Sequence, residues 1–202
     1  MAVSKATQLR RIEKEVEGLT ESPLYPLRKK EGYHAVVGTG DPDARIMFIG
    51  EAPGRQEALR GEPFVGAAGH LLDEMLKSVG LQRDQVYITN IVKDRPPENR
   101  DPQKDEIQIY MPFLRRQIKI VQPQVIVTLG RFAMDFILTE FKMLEKGKSI
   151  TELHGKLLRA VAAYGPITVL PLFHPAVAFY RRDQKEILQS DFQVLKKLAK
   201  AG

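Results

Sequence analysis

The chain of 202 residues contains no cysteine. Disulfides, zinc–thiolate centres, thiolate nucleophiles and cysteine-ligated iron–sulfur clusters are therefore excluded. No apolar run approaches the ~18–20 residues needed to span a bilayer. The opening Met1-Ala2-Val3-Ser4-Lys5 leads into a charged helix and lacks the apolar core of a signal peptide. A soluble, cytoplasmic protein is the expectation. Internal repeats and low-complexity tracts are also missing, as are the GxGxxG and Walker patterns of phosphate-binding loops.

The residues that are there suffice for a folded core. Hydrophobic residues make up 43% of the chain, and its length fits a single domain over 1–202, with an N-terminal helix and loop at about 1–40. The formal net charge is +6. That balance suits a polyanionic partner such as nucleic acid, or simply a solvated basic surface.

Apolar periodicity sets the element order. Leu9, Ile12, Val16 and Leu19 recur at helical spacing over about 4–19. Residues 20–40 are rich in Pro, Gly and Lys and read as a long ordered loop. Strands are predicted at 45–50, 86–90, 124–130 and 167–173. Helices are predicted from Leu71 to Gly80, from Glu106 to Val121 with a kink or restart at Pro112, from Phe132 to Leu138, and around Ile187–Leu198. Strands that are continuous apolar runs and alternate with helices point to a parallel sheet covered on both faces. Ligands of such sheets bind beyond the carboxyl ends of the strands. Gly50, Asn90, Gly130 and His174 all fall at such ends.

Four short segments carry the chemistry. Gly50-Glu51-Ala52-Pro53-Gly54 closes the first strand, and its turn leaves backbone N–H groups open to an anion or a polar base edge. Gly61-Glu62-Pro63-Phe64-Val65-Gly66 holds Phe64 in a stiff loop, where an aromatic face can stack on a base or fill the core. Ile88-Thr89-Asn90 ends the second strand with an amide that offers both a donor and an acceptor, or caps a turn. Phe173-His174-Pro175-Ala176 ends the last with an imidazole.

In this order and on this strand pattern, the four segments resemble the family 4 uracil-DNA glycosylases, from about residue 19 to about residue 198. The resemblance implies an α/β fold, a three-layer α/β/α sandwich around a central four-stranded parallel sheet. It implies a monofunctional N-glycosyl hydrolase, cytoplasmic and nucleoid-associated, that acts as a monomer on uracil-containing DNA, single- or double-stranded. Uracil would be flipped out of the stack and its N-glycosidic bond hydrolysed, leaving an abasic site. Asn90 would pair with O4 and N3–H of uracil, where cytosine presents the opposite pattern. His174 would donate to O2 as negative charge grows there. Phe64 would stack on the base, and Gly50, Ala52, Pro53 and Gly54 would line its pocket. Glu57 matches the second acidic position of the family motif and is expected to face the reacting sugar, while Glu51 is expected to brace the loop through backbone N–H groups. Ala52 aligns with a water-activating Asp of other uracil glycosylase families, which family 4 members also lack. Leaving-group stabilisation, more than a strong base, is therefore the expected driving effect. Lys93, Arg95, Arg100, Arg131, Lys156, Arg181 and Arg182 are candidates for phosphate contacts, and Phe179-Tyr180 for a wedge in the duplex.

The chain departs from the family at one place. Family 4 enzymes usually hold a four-iron cluster on four cysteines, and the corresponding positions here are Ser22, Tyr25, Asp94 and Tyr110. The expectation is a branch without the cluster and without any other cofactor or metal. The two tyrosines would fill the vacated space, hydrogen-bonded with Asp94, Ser22 or nearby arginines. Two rivals stand beside this reading: a uracil- or damaged-DNA-binding module without turnover, and a nucleotide-binding α/β enzyme.

Overall fold

The computed structural model describes residues 3–180 and 182–199. Helix α1 (Lys5–Glu17) starts where the Ser4 hydroxyl accepts the Thr7 N–H, and it buries Leu9, Ile12 and Val16. The segment read from sequence as a loop contains two elements, helix α2 (Tyr25–Glu31) and the two-residue strand β1 (Thr39–Gly40). Both are too short to impose an apolar period; α2 is marked by Pro26 in its first turn and by Gly32 at its end, φ 64°.

Strand β2 (Ile46–Gly50) leads into α3 (Arg55–Arg60) and α4 (Ala67–Ser78). Strand β3 (Tyr87–Asn90) is followed by α5 (Lys104–Val121), which runs through Pro112. Pro112 and Gln108 both face solvent, so water takes the carbonyl that the missing N–H leaves open. Strand β4 (Val125–Leu129), α6 (Arg131–Glu140), α7 (Ile150–Leu153), the hairpin of β5 (Leu158–Ala162) and β6 (Gly165–Leu172), and α8 (Arg182–Ala199) complete the chain.

The sheet order is β1-β3-β2-β4-β6-β5. The four central strands are mutually parallel, while β1 and β5 add an antiparallel strand at each edge. The expected four-stranded parallel sheet is thus the centre of a six-stranded mixed one. Strand alternation divides the core in two. Met47, Ile49, Ile126 and Val169 face α1, α5 and α6; Phe48, Val127, Leu170 and Leu172 face α4 and α8. From β2 the chain crosses to β3 on one side, then back past β2 to β4 on the other. The carboxyl ends of β2, β3, β4 and β6 therefore open on one edge at a switch in strand order, the place where such sheets hold ligands.

Candidate active site

Asn90 ends β3 in register with Gly50 of β2. Its Oδ1 and Nδ2 are both buried and neither has a hydrogen-bond partner. Leaving such a group unpaired costs about 1–3 kcal/mol, so this amide is the unsatisfied polar edge of the cleft. A Cβ on Gly50 would lie 2.3 Å from Asn90 Oδ1 and 2.6 Å from Phe64 Cζ. Glycine there keeps the space between amide and ring clear. The Phe64 ring stacks against the His174 imidazole, with centroids 5.7 Å apart and planes inclined by 30°.

Phe64 holds an uncommon backbone conformation, φ 53°, and three neighbours maintain it. Glu57 Oε1 accepts the N–H groups of Val65 (2.9 Å) and Gly66 (2.7 Å). The Arg83 guanidinium donates to the carbonyls of Phe64 (2.9 Å) and Pro63 and pairs with Asp73. Helix α4 meets the Phe64 carbonyl so closely that a Cβ on Gly69 would sit 1.9 Å from its oxygen. The backbone bracing expected of Glu51 is thus carried out by Glu57. One Glu57 oxygen is committed to the loop, and its other oxygen packs against Gly54.

Glu51 lines the open cleft instead. Burial raises its pKa to about 7, the nearby Asp101 carboxylate adds to the rise, and Arg131 opposes it. Burial also pulls His174 down to about 4, against the charge of Glu57. The imidazole is therefore neutral near pH 7. Its Nδ1 accepts the Ala176 N–H at 3.2 Å, which puts the single ring proton on Nε2. A neutral imidazole in this tautomer is a donor.

The cleft encloses about 630 Å³. Of the residues singled out from sequence, it brings together Glu51, Ala52, Pro53, Gly54, Glu57, Phe64, Asn90, Arg100 and His174, with Gly50 beneath Phe64 and Asn90. Phe179 and Tyr180 stand at its mouth, 55% and 86% exposed. The basic residues divide. Arg100 lines the cleft but is paired with Glu106. Arg131 pairs with Asp101 over the Phe132 ring. Arg95 is tied to Tyr33 and Asn99, both at 2.8 Å, and does not line the cleft. Lys156 is exposed beside His154, on a separate shallow depression. Arg182 is the first residue of α8, and Arg181 lies outside the described residues. Lys93 is the clear correction: it is fully buried, so it has no access to a phosphate.

The positions that correspond to the family's cluster ligands converge, as a polar network. The hydroxyls of Ser22 and Tyr110 are 2.6 Å apart. Tyr110 donates to Asp94 Oδ2 at 2.6 Å, and Arg28 donates to Asp94 Oδ1 at 3.0 Å. Arg28 also donates to the carbonyls of Val16 and Glu17, with the Tyr25 ring beneath its guanidinium at 5.0 Å. Ser22, Arg28, Asp94 and Tyr110 are all buried. These residues do not fit an iron–sulfur cluster: none is a thiolate, and the hydroxyls and carboxylate already satisfy one another. Among the described residues, no group of three or more His, Asp or Glu is arranged to hold a metal ion.

Sequence reasoning missed Arg28, Arg83 and Asp101. None carries a local signal, because each acts on a partner distant in sequence or through a loop.

Comparison with known proteins bears on this geometry. The family model described as "Uracil DNA glycosylase superfamily" matches residues 37–196. A type-4 uracil-DNA glycosylase of Sulfurisphaera tokodaii is 47% identical over 95% of this chain and 84% of its own. One of Archaeoglobus fulgidus is 46% identical over 81% of each chain. A type-5 uracil-DNA glycosylase of Pyrobaculum aerophilum is more distant, 30% identical over 77% of this chain and 73% of its own. The chain belongs to the uracil DNA glycosylase superfamily, on its type-4 side.

Proposed function

We propose that this chain excises uracil from DNA by hydrolysing the N-glycosidic bond, and that it does so without an iron–sulfur cluster. The observation that carries the reading is the buried, unpartnered amide of Asn90, opposite the Phe64–His174 stack. An amide with both atoms free fits the O4 and N3–H of uracil and mismatches cytosine. The flipped base would lie against Phe64. As the bond from C1′ to N1 breaks, its electron pair passes to the base, and charge gathers on O2. The Nε2–H of neutral His174 is the donor for that oxygen. With its pKa lowered to about 4, His174 carries no second proton near pH 7, so it stabilises the uracil anion by hydrogen bonding and not by proton transfer. Water then adds to C1′, and its proton goes to the Glu51 carboxylate, whose pKa near 7 suits the task. Glu51 gives its proton back to solvent and the uracil anion takes one up, so the products are free uracil and an abasic sugar. No lysine takes part as a Schiff-base nucleophile.

The partner is uracil-containing DNA, met by a monomer in the cytoplasm, at the nucleoid. Among the described residues no helix is long and apolar enough to cross a membrane. The test is release of free uracil from single-stranded and uracil–guanine oligonucleotides, followed by alkaline cleavage at the abasic site. Excision is the expected result. Intact oligonucleotide after long incubation with excess protein would overturn the reading in favour of a binding module.

A further inference from the structure

Behind the Asn90 amide lies a lysine that the excision chemistry does not use. Lys93 is 0% exposed and makes no ion pair among the described residues. Its Nζ donates to the Asn90 carbonyl (2.6 Å), Thr89 Oγ1 (2.7 Å) and Gln117 Oε1 (2.6 Å). Thr89 passes its own proton to the Val37 carbonyl at 2.5 Å, so towards Lys93 it acts as an acceptor. Gln117 Nε2 donates to the same carbonyl (2.9 Å) and to the Tyr87 hydroxyl (3.1 Å), which turns its Oε1 to the lysine. Three close acceptors thus meet the three protons of one ammonium, and the Val37 carbonyl is a fourth, longer contact at 3.3 Å. Burial pulls the Lys93 pKa well down.

The location gives this cation its purpose. Pairing of β1 with β3 stops at Thr39–Ile88, two residues short of Asn90. Beyond that point Lys93 supplies the donor that no neighbouring strand offers. A buried ammonium without a carboxylate partner is costly, and here its donors satisfy the Asn90 carbonyl and Gln117 Oε1. We propose that Lys93 is a positioning residue for base recognition: it clamps the Asn90 carbonyl and so fixes the plane of the side-chain amide that reads uracil. The proposal rests on the excision reading above.

A double-mutant comparison tests it. Under single-turnover conditions, Lys93→Met should slow uracil release by about ten- to a hundredfold, the scale of a small misplacement of a reading group. Affinity for a uracil-free oligonucleotide should stay within about twofold, since no phosphate contact is lost. In an Asn90→Ala background the same change should add less than about twofold, because Lys93 acts through an amide already gone. A Lys93→Met protein with the wild-type rate would overturn the proposal, as would a full multiplicative loss in the Asn90→Ala background. If Lys93→Met does not yield folded protein, Gln117→Met, which removes one acceptor of the ammonium, decides in the same cycle. A smaller loss that vanishes with Asn90→Ala supports the clamp, and an additive loss or none overturns it. Wild-type protein that releases no uracil would instead fail the excision reading before any variant is compared.

Discussion

Arg28→Met removes the only cation in contact with the buried Asp94 carboxylate among the described residues. Asp94 is 1% exposed and Arg28 6%. The guanidinium also donates to the carbonyls of Val16 and Glu17, so its loss takes a donor from three acceptors, of which the Val16 carbonyl keeps the Leu19 N–H. Breaking a buried pair by removing one partner costs about 3–5 kcal/mol. The cost should depend on pH. Burial already raises the Asp94 pKa, although Tyr110 and Arg28 both lower it. Without Arg28 the folded-state pKa rises further above the unfolded value of about 3.9. A folded carboxyl that holds its proton more tightly than the unfolded chain gains stability as pH falls through the raised pKa and loses it as pH rises. The variant should therefore lie furthest below wild type at pH 8, and the gap should narrow towards pH 5. Urea unfolding at both values measures it, through the shift in midpoint at unchanged slope. A gap below about 1 kcal/mol at pH 8, or one that widens in acid, would refute the role given to this pair.

Three further outcomes follow from the cleft. Glu57→Gln keeps an acceptor for Val65 and Gly66 and should retain more activity than Glu57→Ala, which loosens the Phe64 loop by two hydrogen bonds worth about 1.5–3 kcal/mol each; equal loss in both variants would show that the carboxylate's charge acts on the sugar instead. Single-turnover rates should fall as pH drops through about 7, where Glu51 takes up a proton, and Asp101→Asn should move that midpoint to lower pH by removing a charge that raises it; an unmoved midpoint would remove Glu51 from the proton path. Gly50→Ala should cut uracil release by about a hundredfold or more, because the new methyl lies where amide and ring face each other, and unchanged release would mean that the base binds elsewhere.

The parallel sheet was legible because its strands are unbroken apolar runs ending in Gly50, Asn90, Gly130 and His174, and a parallel sheet gathers those ends on one edge whatever the strand order. The edges were not legible: β1 is two residues long, and β5 alternates Arg159 and Val161 outward with little apolar signal. Within the site, residue type told which side chains carry chemistry but not which way they turn. Glu51 and Glu57 are six positions apart in the sequence, and the bracing expected of Glu51 falls to Glu57, which reaches the N–H groups of Val65 and Gly66. Lys93 looked like a surface cation. Its burial depends on Thr89, Gln117 and the end of β1, contacts that no local pattern announces. Arg28 meets Asp94 across 66 positions for the same reason.

The neutral imidazole of His174 is the group expected to stabilise uracil as it departs. Single-turnover uracil release and equilibrium binding, measured for wild type and His174→Ala on one uracil-containing oligonucleotide, test it most directly. Loss of a donor that acts on developing charge costs roughly 2.7–4 kcal/mol in the transition state, about a hundred- to a thousandfold in rate. That loss is expected with affinity within about threefold of wild type, because the donor matters little before charge develops. A His174→Ala protein that cleaves at the wild-type rate, or one whose affinity falls as far as its rate, would contradict it.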